Sequence, residues 1–157
     1  MSKIKIGGMI KNANLAKVSV LGIPSRPGTA GAILGALGQA KINVQFIVQC
    51  LDNNNLDHVV FCIKQDDLLA TLDIVNQLQE RIGAQNIGHN PNVCTISIFG
   101  PDFRERPAIA GAMFGALAAK GINILAISTS ISTISCVIAG QFLDLGEAAI
   151  RETFDLL

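Results

Sequence analysis

Asn43 and Asn123 are the residues whose placement first suggests chemistry. Each is a polar group at the head of an apolar, β-branched run, INVQFIVQCL and INILAISTS, and each is followed on its run by a second polar residue, Gln49 and Thr129. These strand starts are read as lying beside a helix start, whose unpaired N–H groups can hold an anion. A small zwitterion fits such a place, with its carboxylate on helix-terminal amides and its ammonium on strand carbonyls or side-chain oxygens. Asparagine also commonly satisfies turn backbone, and the residue types alone leave both readings open.

Other chemistry finds little support. The sequence contains no G-x-x-x-x-G-K-[ST] phosphate loop, no G-x-S-x-G elbow and no H-E-x-x-H pair. Cys50, Cys62, Cys94 and Cys136 stand far apart in apolar segments without a CxxC pair, which reads as buried reduced thiols and no metal site. His58, expected on a strand, and His89, expected near an inter-domain linker, have no obvious acid or nucleophile partner in sequence, and Asp66, Asp67 and Glu147 suit helix starts. No cofactor is expected. RNA binding on a sheet needs exposed aromatics and basic surroundings, and the chain has no Trp or Tyr.

The elements that must position the polar residues occur twice. Pro24–Val44, PSRPGTAGAILGALGQAKINV, reads as a Pro-Gly turn, a helix with apolar Ala30, Ile33, Leu34 and Leu37, and a strand start. The second copy is PAIAGAMFGALAAKGINILAISTS: Gly31 matches Gly111, Leu37 matches Leu117 and Asn43 matches Asn123, at a constant offset of 80. A constant offset over a whole unit marks a tandem duplication. Gly31, Gly35 and Gly38 inside the first helix suggest a close neighbour, because glycine otherwise weakens a helix.

Along the chain, KIKIGGMI reads as a strand bent at the double glycine, Lys11–Asn14 as a turn and Val18–Leu21 as a strand. A helix over 28–40, a strand over 43–51, a hairpin loop at Asp52–Asn55 and a return strand over 58–63 follow. Asp66 offers an N-cap to a helix ending at Gly83, and a short strand at 86–89 closes a β-α-β-β-α-β unit. The second unit has strands at 93–99, 123–128 and 134–139 and helices at 107–120 and 145–154, and it lacks a sixth element. The leading strand therefore completes the second sheet. The expected fold is α+β: two ferredoxin-like units, each a four-stranded antiparallel sheet with two helices on one face, covering 17–91 and 1–16 with 92–157.

Composition sets limits on partners and place. Half of the 157 residues are hydrophobic, and twelve basic residues balance twelve acidic ones. Nucleic acid and anionic membranes are poor partners for such a surface. The apolar run Ala108–Ala119 is shorter than the roughly 20 residues of a membrane helix, and the N-terminus has no signal-peptide block. A cytoplasmic protein is expected.

Three segments together resemble a known family: VSVLGIPSRPGTAGAILGALGQAKINVQFIVQ, ISIFG onward to INILAISTSISTISCVI, and the leading KIKIGGMI. They are similar to the tandem ACT domains that form the regulatory part of aspartokinases. The resemblance implies that the first ACT unit is inserted in the second, and that units pair across a homodimer. It further implies that an effector amino acid such as lysine or threonine is held at ACT interfaces. Of the family's effector positions, Ala30, Gln49, Asn123 and Ile124 match here, and Ser25, Pro27 and Gly28 at the first turn with Asn43 and Val44 on the following strand are further candidate contacts. Thr129 and Ser130 are candidates in the second unit. The sequence departs from the family at Ser25, where aspartate is usual, at Ala110 (threonine), at Asp52 (serine) and at Ile131 (glutamate). Loss of acids matters because an ammonium prefers a charged acceptor, and Asp52 is a candidate replacement.

Kinase domains of the family are far longer than this chain, so no catalysis is expected from it. The implied role is allosteric control of an aspartate kinase, an ATP-dependent phosphotransferase of lysine, threonine and methionine biosynthesis. The alternatives are a stand-alone tandem ACT regulator of another amino-acid pathway enzyme, or a small acylphosphatase-like hydrolase using Arg26 and Asn43.

Overall fold

The computed structural model describes residues 2–157. In chain order the elements are β1 (Ile4–Ile6), β2 (Gly8–Pro24), α1 (Thr29–Gln39), β3 (Phe46–Leu51), β4 (Leu56–Lys64), α2 (Leu68–Ile82) and β5 (Asn86–Phe99), then α3 (Ala108–Ala119), β6 (Ala126–Thr129), β7 (Thr133–Ala139), α4 (Leu143–Thr153) and β8 (Phe154–Leu156). The chain divides into two compact α+β units, Leu15–Asn92 and the segment up to Asn14 with Val93–Leu157. The boundary falls inside β2 and inside β5.

In Leu15–Asn92 the strands run β3-β4-β2-β5, with β4 antiparallel to both neighbours. Strand alternation decides the core. Val59, Phe61 and Ile63 of β4 stand opposite Val20, Val18 and Ala16 of β2 and are buried against Ile33 and Leu37 of α1 and Val75, Leu78 and Ile82 of α2. Each large side chain so buried contributes about 1.5–3 kcal/mol. Gly83, at φ 77°, ends α2, its N–H bonded to the Gln79 carbonyl at 2.9 Å.

The other unit repeats the plan with order β2-β5-β7-β6. Cys94, Ile96 and Ile98 of β5 meet Ile134, Cys136 and Ile138 of β7, under Ile109, Met113 and Leu117 of α3 and Ala149 and Ile150 of α4. Beside this sheet β1 pairs in parallel with β8, Ile4 opposite Phe154. The Gly7 N–H donates to the Phe99 carbonyl at 2.7 Å, tying β1 to the main sheet.

Several sequence expectations change. Lys11–Asn14 is strand, because Asn14 absorbs the bend in a left-handed conformation, φ 61°, that asparagine tolerates. The segments 86–89 and 93–99 are one strand that runs on through Pro91, where the Asn90 side chain accepts the Asn92 N–H at 3.1 Å. A sixth element does exist in the second unit, but β8 joins β1 and not the main sheet. Asp66 lies in a 3-10 turn ahead of α2 and makes no capping bond. A methyl group placed on Gly31, Gly35 or Gly38 would meet nothing within 4 Å, so close packing inside the chain does not explain these glycines. Cys50 is exposed on β3, whereas Cys62, Cys94 and Cys136 are buried. Burial pushes the Cys94 and Cys136 thiols up to about 11 and about 12.

Asp52 organises the β3–β4 hairpin. Its Oδ1 accepts the N–H groups of Asn54 and Leu56 at 2.7 and 3.1 Å, and its Oδ2 lies 2.9 Å from His58 Nε2. His58 Nδ1 in turn accepts the Gly22 N–H at 3.2 Å, which leaves Nε2 to carry the proton toward Asp52. The His58 bond first, then the two amides, hold the Asp52 carboxyl below the usual carboxylate range.

The equivalent helix ends also differ. After α1 the left-handed residue is Lys41, φ 61°; after α3 it is Gly121, φ 73°. A side chain in that conformation costs roughly 1–2 kcal/mol.

Lys41→Gly is therefore expected to raise unfolding stability by about 1 kcal/mol in urea titration, the gain from relieved strain exceeding glycine's added chain entropy. A thiol reagent should label Cys50 alone in the native chain and all four cysteines after denaturation, as mass spectrometry would show. Asp52→Asn should lower the melting temperature at neutral pH. A depressed carboxyl contributes its full stability above about pH 4 and loses it as pH falls through the folded value, so the difference from wild type should close on acidification.

Candidate functional site

The cleft in Leu15–Asn92 is built around the start of α1. Pro27 fixes the turn, and Gly28, at φ 99°, occupies the N-cap position in a conformation open mainly to glycine. No side chain caps this helix. Its first hydrogen bond is from the Ala32 N–H to the Gly28 carbonyl at 2.9 Å, so the amides of Thr29, Ala30 and Gly31 precede the ladder and carry the positive end of the helix dipole. The Thr29 hydroxyl is buried and donates to the Arg26 carbonyl at 3.4 Å. Arg26 itself donates to the Arg81 carbonyl at the end of α2.

Ser25, Pro27, Gly28, Ala30 and Gln49 come together around a space of about 490 Å³, with Arg26, Thr29, Gly31 and Asp57 completing its lining. Gln49 reaches it from β3, where it stands opposite Val59. Asp57 was not singled out by sequence reasoning. The available signal was the alternation itself: Val59, Phe61 and Ile63 are core, and the next position toward the start of β4 carries a carboxylate. Asp52, considered as a replacement acid, does not line the cleft and has both oxygens engaged in the hairpin.

A second cleft, of about 290 Å³, lies in the other unit and is lined by Phe103, Arg104, Arg106, Pro107, Ala110, Thr129, Ser130 and Ile134. Thr129 and Ser130 are thus together. Ser130 is partly committed, its N–H donating to the Thr133 carbonyl at 2.8 Å and its hydroxyl to the same oxygen at 3.5 Å. Here the helix start is less open, because the Ile109 N–H already donates to the Arg106 carbonyl at 3.2 Å.

Asn43, Val44, Asn123 and Ile124 line neither cleft. The expectation that the asparagines lie beside a helix start is corrected: each follows the C-terminal end of its helix, α1 or α3, a helix length of about 16 Å from the start. Val44 and Ile124 pack against the cores of their units. Arg26 and Asn43, paired in the hydrolase alternative, sit at opposite ends of α1. Among the described residues no group of three His, Cys, Asp or Glu could hold a metal, and no helix is long and apolar enough to cross a membrane.

Comparison with known proteins converges on one family. Residues 96–154 match the model of the ACT domain. The chain is 36% identical over 151 residues to the aspartokinase of Pseudomonas aeruginosa, covering 96% of this chain and 37% of that protein. It therefore spans little more than a third of the length of the curated relatives it matches first. Among solved structures, a chain of the aspartokinase alpha and beta subunits is 32% identical with a TM-score of 0.85, covering 94% of this chain and 97% of that one. The ligand-free regulatory subunit of aspartate kinase from Thermus thermophilus is 27% identical, also with a TM-score of 0.85, and matches 96% of this chain and 99% of its own. With both ferredoxin-like units accounted for over nearly its whole length, the chain belongs to the ACT-domain family of aspartokinase regulatory regions.

Proposed function

We propose that this chain senses a free amino acid and passes the signal to an aspartokinase catalytic domain or subunit. The observation that carries the reading is the cleft at α1, where uncapped helix amides, a buried hydroxyl and Gln49 converge in one space with Asp57. Amides at a helix start suit a carboxylate, and side-chain oxygens across the cleft suit an ammonium. Lysine and threonine are the first candidates, as end products of the pathway in which aspartokinases act, and the protein works in the cytoplasm.

In this reading the ACT units are 17–91 and 1–16 with 92–157, and they pair in a homodimer. A second copy brings the segment ahead of β6 carrying Asn123 and Ile124, or that ahead of β3 carrying Asn43 and Val44, to a helix start, which would account for the separation of these residues along one chain. The effector has higher affinity for one dimer arrangement and so biases the kinase by that difference. Binding only to the native state must raise its stability, by about 2.7 kcal/mol at a hundredfold excess over Kd.

Thermal unfolding of the chain with lysine, threonine, methionine and serine, each at millimolar concentration, should show a dose-dependent rise of several degrees with at least one of them. The absence of a shift with every one would overturn the sensing role.

A further inference from the structure

We propose that Asp57 is the specificity-determining residue of the α1 cleft, its carboxylate receiving the ammonium of a free amino acid whose own carboxylate lies on the first amides of α1. The inference rests on the sensing role above and assigns the ammonium subsite, which Ser25 and Asp52 leave unfilled. Asp57 is only 6% exposed, yet its side chain makes no hydrogen bond or ion pair among the described residues and lines the cleft. A carboxylate with so little surface and no partner is poorly compensated, and a cationic group in the cleft supplies the missing partner.

Its position in the sheet explains why it faces the helices. On β4 it precedes Val59 by two residues and so shares the face of Val59 and Phe61, opposite Ile23 of β2 and Leu51 of β3. That face leads to the start of α1. The cleft is consequently bipolar, with helix amides at one end and a buried acid at the other. A simple anion would meet Asp57 unfavourably, and a simple cation would leave the amides unused. A zwitterion satisfies both.

The other unit lacks this arrangement. Thr129 stands opposite Ile134 as Gln49 stands opposite Val59, so the counterpart of Asp57 is Ser132, which is exposed and does not line the second cleft. The charged groups there are Arg104 and Arg106, with no carboxylate. One amino acid per chain is the expected stoichiometry.

Calorimetric titration of lysine, threonine, methionine and serine into wild type, Asp57→Asn and Asp52→Asn tests this. Wild type should bind one equivalent of the responding amino acid, Asp57→Asn should bind it at least about thirty-fold more weakly, and Asp52→Asn should bind it normally. The des-amino analogue of that amino acid should bind wild type no more tightly than Asp57→Asn. Without ligand, Asp57→Asn should melt within about 2 °C of wild type, because the isosteric amide makes the same contacts in the cleft lining. Loss of binding through damage would lower it instead. If Asp57→Asn does not fold, Asp57→Ser, which copies Ser132, carries the same expectations. Binding within about three-fold of wild type in the variant would overturn the role of Asp57 and leave sensing intact. No binding of any of the four to wild type would overturn both.

Discussion

A helix that starts at a left-handed glycine with no capping side chain must leave its first amides to something else, and the α1 cleft depends on that constraint. Pro27 and Gly28 turn the chain so that these amides open on the end of the sheet, where Gln49 and Asp57 are presented by neighbouring strands. The rigid part beneath is apolar: the β4 alternation packed on α1 and α2 fixes the helix start relative to the strand ends. A cleft of this kind is set by backbone geometry first and side chains second.

Duplication preserved the scaffold and let the ends diverge. Both units bury matching stripes, Val59 and Phe61 in one and Ile134 and Cys136 in the other, beneath matching helices. At the helix starts they part: α1 begins with free amides, whereas the Ile109 N–H before the second turn of α3 is already engaged. At the hairpins they part again. The longer loop of Asp52–Asn55 is held by the Asp52 carboxylate and His58, while the shorter one closes through Ser130 and Thr133. The longer hairpin brings Asp57 into strand β4; the shorter one leaves Ser132 in an exposed turn.

Much of this was legible in the sequence, because it follows from local rules. Helical spacing, the Pro-Gly turn, the hairpin loop and the constant offset between copies gave most of the elements and the α+β class, and of the residues singled out, Ser25, Pro27, Gly28, Ala30 and Gln49 line one cleft. The misreadings came where local polarity and long-range pairing compete. Lys11–Asn14 looks like a turn but is part of β2, the two segments at 86–89 and 93–99 run on as one strand, and the helix glycines look like packing sites until nothing is found against them.

By itself the sequence determined the repeat, the periodicities and the chemistry available at each position, since these depend on near neighbours along the chain. Only the tertiary structure decided which polar groups meet. Asn43 is three residues ahead of β3 but a helix length from the amides it was expected to join, while Asp57, distant in sequence from Gly28, shares its cleft. Antiparallel register and helix length govern those distances, and both are settled only when strands far apart in the chain have paired.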